Sequence, residues 1–180
     1  MAKKPSLIEL KKQLRKKTQY ELVEEIAHLY KKFSQVKEYY QASFFHDDSA
    51  VLQKYKKIIR KEFVPSGRNP FPELRLSVAR KAVSDYKKVS ASTAGIADIM
   101  ITYVEAGVEC TNDLGDIDEP FYNSMESMYE SALEYVRKEN LFEKFDSRLQ
   151  QIVKDTAGMG WGFHDALADS YYEHFGEAGL

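Results

Sequence analysis

Apolar residues recur every three or four positions through most of the chain, a spacing that predicts amphipathic helices. Ser6 and Glu9 form a capping box ahead of Leu7, Leu10 and Leu14, predicting a short helix over roughly 6–16. Thr18 and Glu21 repeat the box before Leu22, Ile26, Leu29 and Phe33. A third helix is read over Gln35–Phe44, with Val36, Tyr39 and Tyr40 inward. Asp47, Asp48 or Ser49 can cap a fourth, whose stripe is Leu52, Tyr55, Ile58, Ile59 and Phe63. Pro65, Gly67, Pro70 and Pro72 then break the pattern, so residues 65–75 read as a hinge within a single domain over 1–180.

The second half resumes the periodicity. Ser77 opens a helix with Val78, Val83 and Tyr86, and Ser92 or Thr93 opens another with Ile96, Ile99, Met100, Tyr103 and Val104. The run IADIMITYV is rich in β-branched residues, but its spacing and length favour a helix, which Gly107 either ends or interrupts. Asp118 caps the next, which faces Phe121, Met125, Met128, Ala132 and Val136 inward. An eighth helix over roughly 142–156 buries Phe145, Leu149, Ile152 and Val153. A ninth, from about His164 to Phe175, puts Leu167, Tyr171 and Phe175 on its core side. No segment carries a strand's alternation. The expected fold is all-α, with eight or nine helices packed as hairpins in a bundle or short solenoid-like array.

Charge divides this picture in two. Residues 1–90 carry 21 Lys and Arg against 10 Asp and Glu, and residues 91–180 carry 5 against 18, within a net charge of −2. The basic N-terminal and acidic C-terminal subregions are expected to attract each other, within one molecule or between copies. No apolar run approaches ~20 residues, so no membrane span is expected. Lys3 and Lys4 precede an amphipathic stretch rather than an apolar signal core. The single cysteine, Cys110, excludes an internal disulfide and a multi-cysteine zinc site, and points to a cytoplasmic protein.

The densest candidate chemistry lies in DTAGMGWGFHD, residues 155–165. Trp161, set among Gly158, Gly160 and Gly162 and followed by Phe163, is expected to anchor the core or a contact surface. The stretch matches neither a Walker loop, which ends in Gly-Lys-Ser/Thr, nor a dinucleotide-binding turn. His164 is a candidate acid–base group or metal ligand. Asp113, Asp116, Asp118, Glu119 and Asp165 are candidate carboxylates for the same divalent metal, if the acidic loop lies across from His164. Their spacing does not fit an EF-hand. Glu25 and His28 make half of a di-iron pattern, and no second half exists.

At GDIDEPFYNSMESMYE, GWGFHD and the opening SLIELKKQLRKK the sequence resembles an uncharacterised family of small bacterial all-helical proteins, a domain of unknown function. The resemblance covers nearly the whole chain. It implies a bacterial, cytoplasmic, helical protein and transfers no catalytic role to any residue.

The expected function is a non-enzymatic helical scaffold or adaptor that binds a protein partner or self-associates, with no cofactor. Stacked amphipathic helices, 12 tyrosines and the lack of a catalytic motif carry that expectation. Two alternatives stand beside it. One is a nucleic-acid-associated protein using the basic N-terminal half. The other is a metal- or His-dependent enzyme centred on His164 and the 113–119 acidic loop.

Overall fold

The computed structural model describes residues 5–45, 47–67 and 70–176; Lys3, Lys4 and the Arg68–Asn69 pair of the proline-rich loop lie outside them. Among the described residues nine α-helices follow one another, with no strand. They are α1 (Leu7–Leu14), α2 (Gln19–Lys32), α3 (Ser34–Ser43), α4 (Asp48–Phe63), α5 (Leu76–Val89), α6 (Thr93–Leu114), α7 (Glu119–Lys138), α8 (Phe142–Asp155) and α9 (Phe163–Phe175).

α6 is the axis of the molecule. Ile99, Met100, Ile101, Tyr103 and Val104 are fully enclosed, and burial continues round the helix to Ala106, Val108 and Cys110. A helix apolar on every side must be surrounded, and α4, α5, α7 and α8 pack around this one, with α9 closing over α7 and α8. The β-branched run is therefore helical, started by the Ser92 hydroxyl accepting from the Gly95 N–H at 3.0 Å. Gly107 lies inside the helix because α7 passes close there. A Cβ on it would come 2.3 Å from the Met125 sulfur.

Aromatic rings join the layers. Phe63 of α4 meets Tyr103 of α6 and Phe121 of α7 edge to face, at 5.1 and 5.6 Å between centroids. Tyr122 then stacks on Phe163 of α9 at 4.8 Å. Each such contact adds about 0.5–1.5 kcal/mol beyond its buried area. A buried polar cluster fixes α5 against α6 and α7. There the Arg80 Nε donates to the Ser124 hydroxyl at 2.9 Å, and that hydroxyl lies 2.7 Å from the Tyr103 hydroxyl.

Opposite charges of the two halves meet where α4 lies on α6, and a further pairing within the second half ties α8 to α6. Lys56 bonds Asp98 at 2.6 Å, and Arg60 reaches Glu109 at 3.0 Å. Arg148 grips both Glu105 oxygens at 2.7 Å and Asp98 at 2.5 Å. The loop after α4 folds back on that helix, where Arg75 donates twice to the buried Glu62 carboxylate at 2.8 Å.

The first helices depart from expectation. Both capping boxes form as read, so α1 and α2 start where the sequence places them. Their apolar stripes, however, enter no core, and neither helix buries a single residue. The same holds for Tyr39, read as inward and found 50% exposed. The body closes its core from α3 onward, and no described residue covers that face. α2 packs on α3, and α3 joins the arm to α4 and α5. The join is polar as well as apolar. Glu38 is buried and accepts from the Tyr55 hydroxyl and Lys54, each at 2.5 Å.

Candidate functional site

Two regions merit consideration as a site, the arm formed by α1 and α2 and the turn between α8 and α9. In the arm, Thr18 holds the first turn of α2, its hydroxyl accepting from the Glu21 N–H at 3.2 Å, while Glu21 accepts from the Thr18 N–H at 2.7 Å. That cap fixes the rotation of the helix and hence the direction of its apolar stripe. Val23, Ile26, Leu29 and Phe33 are all exposed, as are Leu7, Ile8 and Leu10 of α1. Between α2 and α3 runs a groove of about 330 Å³, bounded by Val23, Ile26, Ala27, Tyr30, Tyr40, Phe44 and Phe45. Rings line it in series. Tyr30 meets Tyr40 at 6.2 Å, Tyr40 meets Phe44 at 5.7 Å, and Phe44 meets Phe45 at 6.3 Å. Contiguous exposed apolar surface of this kind is uncommon on a monomer and is characteristic of protein, membrane and ligand contacts.

The turn between α8 and α9 carries the candidate chemistry. Trp161 is 63% exposed and sits at φ +64°, and Gly162 follows it at φ +69°. Two consecutive left-handed residues reverse the chain and throw the indole outward. The expected core anchor is therefore Phe163, which is wholly buried against Tyr122. Gly160 is small because the acidic loop lies against it, and a Cβ there would come 2.9 Å from an Asp116 oxygen. Asp116 in turn accepts from the Tyr122 hydroxyl at 2.9 Å.

The remaining candidates are occupied locally or point to solvent. His164 Nδ1 lies 3.1 Å from the Val153 carbonyl and 3.0 Å from the Thr156 hydroxyl, clasping the end of α8 to the start of α9. Asp118 caps α7 by accepting from the Phe121 N–H at 2.9 Å, and Glu119 occupies that helix's first turn. Asp113 and Asp165 are exposed. The loop does face the glycine turn, as the sequence suggested, yet Asp116 is the member brought up to it. Among the described residues no group of three or more His, Cys, Asp or Glu is placed to hold a metal ion. Cys110 is buried, and that burial, with Asp113 and Glu109 nearby, pushes its thiol up to about 11. A thiol so raised is a poor nucleophile.

Sequence reasoning missed the cluster around Arg148. A groove of about 470 Å³ opens beside it, with Arg60, Glu105, Glu109, Asn112, Gln151 and Asp155 among its lining residues. Burial alone would raise the Asp98 carboxyl, but hydrogen bonds from Lys56 and Arg148 outweigh it and hold the group low. The cations there already have carboxylate partners, so the cluster ties helices together. The available signal was Arg148 itself, set among the inward positions Phe145, Leu149 and Ile152 of α8.

A family model described as a family of unknown function (DUF6155) matches residues 4–175. No curated protein and no solved structure matches the chain.

Proposed function

We propose that this chain, which belongs to the family of unknown function DUF6155, works as a non-enzymatic helical adaptor whose N-terminal arm docks on a protein partner. One observation carries the reading: two helices with well-formed caps and apolar stripes bury none of their own residues. Isolated helices of 8 and 14 residues are marginal in water, and burial of an apolar stripe is what ordinarily stabilises them. The surface that fits is an amphipathic helical one, apolar at its centre and carrying both charge signs at its rim. Tyr20, Tyr30, Tyr39, Tyr40 and Phe44 supply the large rings that dominate such contacts. In this reading α3–α9 form the rigid body that presents the arm.

The test is a photo-crosslinking amino acid placed at Ile26, with Glu134 on α7 as control, in cells that naturally make the protein. A discrete protein adduct from Ile26, absent from Glu134, is the expected result. No adduct, or equal adducts from both positions, overturns the reading. The basic stretch from Lys11 to Lys17, at the end of α1 and just beyond it, gives the nucleic-acid alternative its remaining ground. An Ile26 adduct to nucleic acid instead of protein would favour that alternative.

A further inference from the structure

We infer that the arm has a second position, reached when the break between α2 and α3 straightens into one helix from Gln19 to Ser43. A single residue, Phe33, separates the two helices, and its φ of −120° and ψ of 119° lie in the extended region. The Phe33 N–H donates to the Leu29 carbonyl at 2.9 Å, and its carbonyl accepts from the Lys37 N–H at 3.1 Å, as both would in an unbroken helix. No side chain caps the start of α3. The N–H groups of Ser34, Gln35 and Val36 meet no acceptor among the described residues. Turning Phe33 to helical torsions gives them the carbonyls of Tyr30, Lys31 and Lys32, and removes one pair of helix ends. Neither Pro nor Gly occurs between Pro5 and Pro65, so nothing in the covalent chain enforces the break.

The apolar pattern runs through the break as well. Leu22, Ile26, Leu29, Phe33, Val36 and Tyr40 follow one another at spacings of four and three. At about 100° per residue they fall within an arc of roughly 80° on a continuous helix. In the folded form that stripe is divided. α2 turns Val23, Ala27 and Tyr30 to the groove it shares with α3, and Leu22, Leu29 and Phe33 fall outside its lining. Little therefore holds the arm down, since α2 buries no residue and meets α3 through the Tyr30–Tyr40 ring contact. α3 keeps its place on the body in either form, because Glu38 and Ala42 are buried on the face turned away from Val36 and Tyr40. The folded form keeps the groove rings together, and the straight form completes the backbone bonds and the stripe. Exchange between them carries the start of α2 through roughly 40 Å. This adds to the docking reading a change in the arm's reach, and does not depend on it.

The experiment is a double electron–electron resonance distance between spin labels at Tyr20→Cys and Ala50→Cys, both exposed sites. The labelled full chain is diluted with unlabelled protein, so that only distances within one molecule are read. Cys110 is buried and takes no label. The chain otherwise unaltered is expected to show the folded distance and a second one longer by roughly 20 Å. Ser34→Pro is expected to lose the longer distance. Proline suits the first position of α3 and holds the residue before it extended, as Phe33 already is, but it breaks a continuous helix. Phe33→Leu with Ser34→Ala keeps the stripe and raises helix propensity at both positions. It is expected to raise the ratio of long to short about three- to fivefold. The folded distance alone in the otherwise unaltered chain overturns the inference, as does a longer distance that survives Ser34→Pro. An Ile26 crosslink kept alongside a single folded distance removes the second position and leaves the docking reading standing. Two distances without that crosslink do the reverse.

Discussion

Tyr30 of α2 and Tyr40 of α3 meet nearly edge-on, their ring centroids 6.2 Å apart, where the arm joins α3. On the far side of Tyr40 the chain enters a body whose interior rings are fully enclosed, and on the near side no residue of α2 or α1 is. This junction separates the part of the sequence that makes the core from the part that awaits one.

Trp161 and Phe163 are expected to respond oppositely to truncation. Trp161→Ala removes an exposed indole and should change stability by no more than about 0.5 kcal/mol. Phe163→Ala empties a site enclosed by Tyr122 and α7, and should cost roughly 3–5 kcal/mol. Thermal unfolding of the two variants decides it. A large loss from Trp161→Ala would mean that the indole is covered.

Arg148→Met should destabilise by about 1–3 kcal/mol, because Glu105 is left without its bidentate partner and Asp98 keeps only Lys56. Adding Glu105→Gln should recover part of that loss, since the unpaired charge goes with it. Denaturant unfolding of the single and double variants measures the coupling. Strict additivity would show that the two groups do not act together.

Acid should unfold the body by way of held carboxylates, Glu62 and Asp98 among them. Hydrogen bonds from Arg75 lower Glu62, and those from Lys56 and Arg148 lower Asp98 against the effect of burial. Groups depressed on folding contribute stability that is present above their unfolded pKa and lost as pH falls through the folded one. Stability is therefore expected to be flat near neutrality and to drop below the ordinary carboxylate range. Arg75→Met should lessen the drop by removing the Glu62 share, as read from melting temperature against pH. An identical acid limb in that variant would assign the loss to other groups.

Much of the fold was legible because its signals are local. Ser6 with Glu9, Thr18 with Glu21, Ser92 and Asp118 each start a helix through bonds reaching three residues along the chain. The spacing of Ile99, Tyr103 and their neighbours outweighed β-branching in α6. Other features depended on distant parts of the chain. The partners of Arg148 lie 43 and 50 residues away, so nothing near α8 announces them. Trp161 was read as anchoring either the core or a contact surface, because hydrophobicity states only a preference for burial, and the left-handed turn at Trp161 and Gly162 removes the first of these by pointing the ring outward. The stripe of α2 was read correctly as apolar, but periodicity says only that a face exists, not which surface covers it. For the candidate site, the sequence raised the acidic loop only as a conditional neighbour of the glycine turn and could not show that His164 bonds back to α8.

The most direct measurement of the arm's role is amide hydrogen exchange in α2. A lone helix of this length opens readily and protects its amides little. The account predicts that, with the partner captured through Ile26 bound, the amides around Ile26 and Leu29 exchange far more slowly than such a helix allows. Ile26→Glu should abolish that protection while leaving the amides of α6 untouched. Unprotected α2 amides with that partner bound, or protection indifferent to Ile26→Glu, would contradict the claim that the arm is a docking face.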